Sequence, residues 1–335
     1  MQLDRLDHAP DALLDVDPRE IRRVLPNPTL IEIAGREPRP LFLSVLLHGN
    51  EPTGLLALQK IAREFVANPP PRALMIFVGN VAAAEQGARL LPGQTDFNRI
   101  WAGGASPETR LAAEVAEAAR AAAPFASIDI HNNTGANPLY SCVNSLAPEH
   151  VGLAALFSRT IVYYDNPPTT QSMQFSKFCP ATTIECGKPG SKAGVERAAQ
   201  FVLDVLHAHA LPGKPPRDDD VRVYQTVGRL EAAPGARLQF GGAGDADVVF
   251  AANFDHLNFT DLPAGAELAC VRTEASPLRV LDKERRDLTA KFLMRDGDVM
   301  RLAQPATPAM LTTDVEIIRQ DCVGYLMERL TLADA

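Results

Sequence analysis

Four short pieces, far apart in the chain, carry residue types that can do one chemical job together: His48-Gly49-Asn50-Glu51, Asp96-Phe97-Asn98-Arg99, Asp129-Ile130-His131 and Thr183-Ile184-Glu185. They offer two imidazoles and a carboxylate for a zinc ion, a second carboxylate for proton transfer, and an Asn-Arg pair suited to an anion. A metal-dependent hydrolase is the chemistry that uses such a set. The spacing of any one piece is uninformative, because 7 His and 41 acidic residues in 335 predict about 0.9 His-x-x-acid matches by chance. The conjunction has to carry the inference. Catalytic zinc takes three protein ligands and keeps one position for water, and His48, Glu51 and His131 fill that quota. Asp129 lies two residues before His131, on the same face of an extended strand, where it can orient a ligand imidazole through its free N–H. Glu185 is the remaining carboxylate, placed to take a proton from water and return it to a leaving amine.

The elements that must hold these residues are also legible. Leu41 to Leu47 is an apolar run of strand length ending at His48, and Pro52 to Phe65 then carries apolar residues at helical spacing. His48 and Glu51 are therefore expected on a strand-to-helix loop. Phe125 to Ile130 delivers His131, and Ala181 to Ile184, rich in β-branched residues, delivers Glu185. All three runs end in a candidate site residue, as expected of an open α/β sheet that binds ligands beyond the carboxyl ends of its strands.

The blocks His48-Gly49-Asn50-Glu51-Pro52-Thr53-Gly54, Asp96-Phe97-Asn98-Arg99, Asp129-Ile130-His131-Asn132-Asn133-Thr134 and Ile184-Glu185-Cys186-Gly187 resemble, in order, the signature of the aspartoacylase and succinylglutamate desuccinylase family, a branch of the zinc carboxypeptidase superfamily. The resemblance implies an α/β fold with a mixed, zinc carboxypeptidase-like sheet flanked by helices, then a smaller β-rich C-terminal domain covering the cleft. It implies one zinc ion per chain and hydrolysis of a small-molecule N-acyl amino acid to a carboxylic acid and a free amino acid. It assigns Asn98 and Arg99 to the substrate's amino acid carboxylate, which an Arg fork can grip bidentately. It matches Arg89 to the arginine that stabilises the tetrahedral oxyanion, at a wider spacing from the Asp96 block than the family pattern has. Phe97 departs from the family's Leu. A second departure concerns recognition: aspartoacylase-like members carry an arginine about ten residues before the catalytic Glu, whereas Thr170 to Lys177 contains none. Lys177 and Lys188 are the bases at hand, neither with a bidentate fork, so a substrate other than N-acetylaspartate, with a neutral or larger group, is expected. A metallocarboxypeptidase acting on short peptides would use the same machinery, and a non-catalytic protein that binds a small acid could keep the same fold.

Composition bounds the rest. A length of 335 suggests two domains, and the clearest break is Leu211-Pro212-Gly213-Lys214-Pro215-Pro216-Arg217-Asp218-Asp219-Asp220. The expected division is a catalytic domain over 1–212, a linker over 213–220 and a β-rich domain over 221–335, with short strands at Val221 to Val227, Ala266 to Thr273, Lys291 to Met294 and Val315 to Ile318. A net charge of −8 argues against nucleic-acid or anionic-membrane partners. No apolar run reaches spanning length, and Met1-Gln2-Leu3-Asp4 does not open a signal peptide, so a cytoplasmic location is expected; self-association into a homo-oligomer is left open. Five cysteines without close pairs read as reduced thiols, with Cys186 a buried hydrophobe. His150, His207, His209 and His256 compete poorly for the metal, and neither Walker spacing nor a G-x-S-x-G elbow is present.

Overall fold

The apolar runs ahead of the candidate residues form the sheet of the first of two units into which the chain divides. A computed structural model describes residues 1–242 and 244–332. Of the described residues, the first unit comprises Met1–Asn132 and Leu139–Arg222, and the second comprises Asn133–Pro138 and those from Val223 to Leu332. In chain order the first unit contains β1 (Asp4–Leu6), β2 (Thr29–Ile33), β3 (Glu37–Val45), α1 (Thr53–Glu64), β4 (Arg72–Val78), α2 (Val81–Gln86), α3 (Pro107–Ala122), β5 (Ala126–His131), β6 (Tyr140–Val143), α4 (Pro148–Phe157), β7 (Thr160–Tyr163), α5 (Gln171–Phe175), β8 (Ala181–Glu185) and α6 (Lys192–His207). Its strands lie in the order β1-β2-β4-β3-β5-β8-β6-β7. The central run β4-β3-β5-β8 is parallel, while β2 pairs with β4 and β6 pairs with β8 antiparallel. This is a mixed sheet flanked by helices.

Side chains alternate between the faces of a strand, and the two faces here differ in kind. Leu41, Leu43 and Val45 of β3, Ile128 and Ile130 of β5, and Ile184 of β8 share one core with Leu55, Leu58 and Ile61 of α1 and Phe201, Val202 and Val205 of α6. Phe42 and Phe77 belong to a second core, with Trp101, Leu111 and Val115, and Phe175 of α5. On that second face the intervening positions turn polar: Ser44, Ser127, Asp129, His131, Thr183 and Glu185 are all buried there. The register sets Ser44 opposite Asp129 and His131 opposite Glu185.

The second unit is β-rich: β9 (Arg222–Ala232), β10 (Leu238–Phe240), β11 (Val248–Phe250), β12 (Glu267–Val271), β13 (Leu278–Leu281), α7 (Thr289–Phe292), β14 (Leu293–Asp296), β15 (Val299–Leu302), β16 (Thr307–Ala309), α8 (Val315–Gln320) and β17 (Gly324–Leu330). Strands β10-β11-β12-β15-β14 form one sheet, and β17 pairs with both β9 and β16. Two expectations fail here. Val315 to Ile318 is helical despite its β-branched residues, because the Asp314 carboxylate accepts the Glu316 and Ile317 N–H groups and nucleates α8. Lys291 and Phe292 close the short helix α7, and the strand starts only at Leu293. Among the described residues no helix is long and apolar enough to cross a membrane.

The loop between β3 and α1 lies hard against α2. A Cβ on Gly49 would come within 2.2 Å of the Ala83 carbonyl carbon and the Ala84 nitrogen, so only glycine fits between His48 and Glu51. Gly49→Ala is expected to destabilise the protein by about 1–3 kcal/mol through overpacking. Denaturant unfolding measures this, and an unchanged midpoint would mean that the loop does not press on α2.

Candidate metal centre and active site

His48 follows β3 by three residues, and Glu51 sits two residues before α1, so one short loop carries both. His131 is the last residue of β5 and comes to them across the sheet. The Glu51 carboxylate lies between the two rings: Oε1 is 2.8 Å from His48 Nδ1, and Oε2 is 2.8 Å from His131 Nδ1. The donor atoms of His48, Glu51 and His131 all lie within 4.8 Å of one another, and the three side chains are buried. They could hold a metal ion.

The outward ring nitrogens are occupied as well. His48 Nε2 lies 3.0 Å from Asp96 Oδ1, and His131 Nε2 lies 2.8 Å from Asp129 Oδ2. A carboxylate behind each imidazole accepts the Nε2 proton, so that with a metal bound the Nδ1 lone pair of each neutral ring would face the ion. Asp129 is itself held, since its Oδ1 accepts the Ser44 hydroxyl at 2.7 Å on the adjacent strand. Asp96 accepts the Asn98 backbone N–H at 2.7 Å and meets Arg89 Nη2 at 3.3 Å. The donor set therefore fits a divalent cation: two oriented imidazoles, one carboxylate, and further acids behind them.

The electrostatics follow from this crowding. Burial by itself would raise the Glu51 carboxyl, but His48 and His131 hold it well below the usual carboxylate range. For Asp96, too, burial is outweighed by His48, Arg89 and Arg99, and the carboxyl is held low. Burial would lower His131, yet Asp129 and Glu51 hold its imidazolium well above the ordinary imidazole value. The Cys186 thiol, next to Glu185, is pushed well up by burial and by the charges of Glu185 and Glu51, as suits a buried hydrophobe rather than a ligand.

A family model, the succinylglutamate desuccinylase/aspartoacylase catalytic domain, matches residues 39–207, just over half of the chain. The chain belongs to this family of acyl-amino-acid hydrolases. The match spans the strands, loops and helices that carry the centre. Solved structures agree in fold. The succinylglutamate desuccinylase from Chromobacterium violaceum is 17% identical with a TM-score of 0.57, covering 89% of this chain and 87% of its own. Murine aminoacylase 3 is 15% identical at 0.58, covering 89% and 97%. The product-bound ectoine utilization protein EutE (DoeB) from Ruegeria pomeroyi is 18% identical at 0.53, covering 82% and 87%. A comparison with curated proteins finds no match.

Other residues of this desuccinylase/aspartoacylase domain gather at the centre to different degrees. Glu185 ends β8 in register with His131, on the same face, and is 8% exposed. Arg89 is there too, with Nη1 3.4 Å from Glu51 Oε1. Asn98 is buried, its Nδ2 3.4 Å from His131 Nε2 and its Oδ1 accepting the Gln171 N–H at 3.0 Å. Arg99 is half-buried and donates to the Asn98 carbonyl at 2.9 Å. Lys188 is exposed in the turn after β8. Lys177 is exposed and donates to Gln174 Oε1 at 2.8 Å, which ties it to the surface of its own helical turn. His150 is buried on α4 and accepts the Ala181 N–H through Nδ1 at 3.1 Å, a structural contact.

Sequence reasoning gives no role to Asp96, Ser44 or Asn132. Asp96 is visible as the first residue of a motif, but nothing in its spacing points to His48. Strand alternation identifies Ser44 only once β3 is set beside β5. Because folding lowers both Glu51 and Asp96, the stability they contribute is complete above the ordinary carboxylate value of about 4 and is lost as pH falls through their depressed native values. Metal-free protein should lose stability on acidification below about pH 4, and more gradually in Asp96→Asn. Urea midpoints followed down the pH scale test this; parallel curves for the two proteins would refute the assignment.

Proposed function

We propose that this chain is a zinc-dependent amidohydrolase that removes the acyl group of an N-acyl amino acid. The observation that carries the reading is the buried His48-Glu51-His131 cluster, each imidazole backed by a carboxylate, with Glu185 in register beside it. Zinc, when bound by these three residues, would supply Lewis-acid polarisation of the amide carbonyl and a water of lowered pKa. Asp96 and Asp129, bonded to the Nε2 atoms of the two rings, would keep their Nδ1 atoms available to the ion. The Glu185 carboxylate takes the attacking water's proton and delivers it to the nitrogen of the leaving amine, so that the C–N bond breaks to give a carboxylic acid and a free amino acid. Arg89 offers a fixed positive charge to the oxyanion that forms on the former carbonyl.

Asn98 and Arg99 are the proposed clamp for the substrate carboxylate. With the His131 Nε2 proton donated to Asp129, the Asn98 amide nitrogen cannot bond that ring, and its N–H groups remain for an acceptor on the substrate. The acyl or side-chain end of the substrate is proposed to be uncharged. Val162 to Gly187 contains no arginine, and its one lysine is tied to Gln174.

With zinc-loaded protein, a panel of N-acetyl, N-succinyl and longer N-acyl amino acids alongside dipeptides should yield turnover of N-acyl amino acids with neutral groups. Cleavage of dipeptides alone would overturn the deacylase reading in favour of a carboxypeptidase. Glu185→Gln should retain metal and lose about 100-fold or more in kcat, the usual weight of a general base. His48→Ala should lose the metal as well. Elemental analysis of both variants beside their rates tests the division of roles, and near-normal turnover by Glu185→Gln would remove it as the base.

A further inference from the structure

Three loops must keep a fixed geometry for this centre to work: the one after β3 with His48 and Glu51, the end of β5 with His131, and the one after β8 beginning at Glu185. One buried residue outside the ligand set bonds to both of the other loops. The Asn132 backbone N–H donates to Glu51 Oε2 at 3.1 Å, the oxygen that faces His131. Its side-chain Oδ1 accepts the Thr53 N–H at 3.2 Å, at the first turn of α1. Its Nδ2 donates to the Gly187 carbonyl at 2.7 Å.

We infer that Asn132 is a positioning residue that couples the metal-carrying loop to the loop that directly follows Glu185; the inference rests on the metal reading proposed above. The chemistry of the partners allows only one orientation of the amide. Thr53 presents a donor and Gly187 an acceptor, so a flipped amide would set donor against donor and carbonyl against carbonyl. The Gly187 carbonyl is aimed by a left-handed backbone, φ +74°, immediately past Cys186. Cys186 in turn donates its N–H to the His131 carbonyl at 2.9 Å. Two successive residues, His131 and Asn132, therefore hold the two that follow Glu185, and the base cannot shift without straining bonds that also reach Glu51 and α1. Asn132 is 5% exposed, so a broken bond there is not readily replaced by water. An aspartate has the same shape and keeps an acceptor for Thr53, but has no donor for Gly187.

Cobalt(II) binding, followed by its visible spectrum and by chelator competition, and hydrogen–deuterium exchange read by peptide mass spectrometry test this in the full chain. Asn132→Ala should weaken cobalt binding about 10- to 100-fold, the usual cost of losing a group that orients metal ligands. It should also speed exchange in the peptides over 48–56 and 185–191. Asn132→Asp should speed exchange over 185–191 while the 48–56 peptide stays protected. Peptides over β2 and β4 should be unaffected in both, which separates positioning from general loss of stability. Unchanged exchange at both loops, or a uniform rise across the unit, overturns the inference. Absence of cobalt and zinc binding by the unmodified protein would instead overturn the metal reading itself.

Discussion

Burying several carboxylates beside one another is costly unless positive charge or polar hydrogens answer each of them, and this constraint governs the centre. Glu51, Asp96 and Asp129 crowd around two imidazoles and Arg89, and each acid finds a partner: an imidazole on either side of Glu51, His48 and Arg89 at Asp96, His131 and Ser44 at Asp129. The cluster balances its charge by holding a proton on His131, well above that group's ordinary tendency. A divalent cation would supply positive charge at the same point and leave the rings neutral, as ligands must be. The proposed metal thus fits the electrostatic demand of the site as well as its donor geometry.

The sheet meets that demand by dividing its two faces. On one, Leu41, Leu43, Val45, Ile128, Ile130 and Ile184 pack under α1 and α6 without a polar side-chain atom among them. On the other, aromatic packing around Phe42, Phe77 and Phe175 gives way to Ser44, Asp129, His131 and Glu185 toward the strand ends. A slip of one residue in β5 would turn Asp129 and His131 into the apolar core and bring Ile130 to the centre. The hydrophobic pattern that specifies the register therefore also specifies the chemistry.

Much of this arrangement is legible in the amino-acid sequence. The apolar runs ending at His48, His131 and Glu185 are short and bounded, so strand period and helix spacing identify them. The His48–Glu51 spacing and the His131–Asp129 alternation are local, and local geometry follows from backbone type. Val315 to Ile318 shows where such local reading fails: its β-branched residues suggest a strand, but the Asp314 side chain bonds the next turn and decides for helix. The peptide 133–138, directly after the site, joins the second unit, a grouping that no change in composition announces.

Residue types and their order therefore determined the family, the three candidate ligands, the second carboxylate and the strands that carry them, because each block is legible from its own neighbours and the ordered conjunction of blocks needs no contact between them. Folding alone decided that Asp96 stands behind His48, that Ser44 steadies Asp129, that Arg89 reaches Glu51, and that Asn132 bridges to Thr53 and Gly187. Those partners come from separate loops and strands, from 38 positions apart for Arg89 and Glu51 to 85 for Ser44 and Asp129. Hydrogen bonds require approach to about 3 Å, and only the packed register of the sheet sets which distant polar groups come that close.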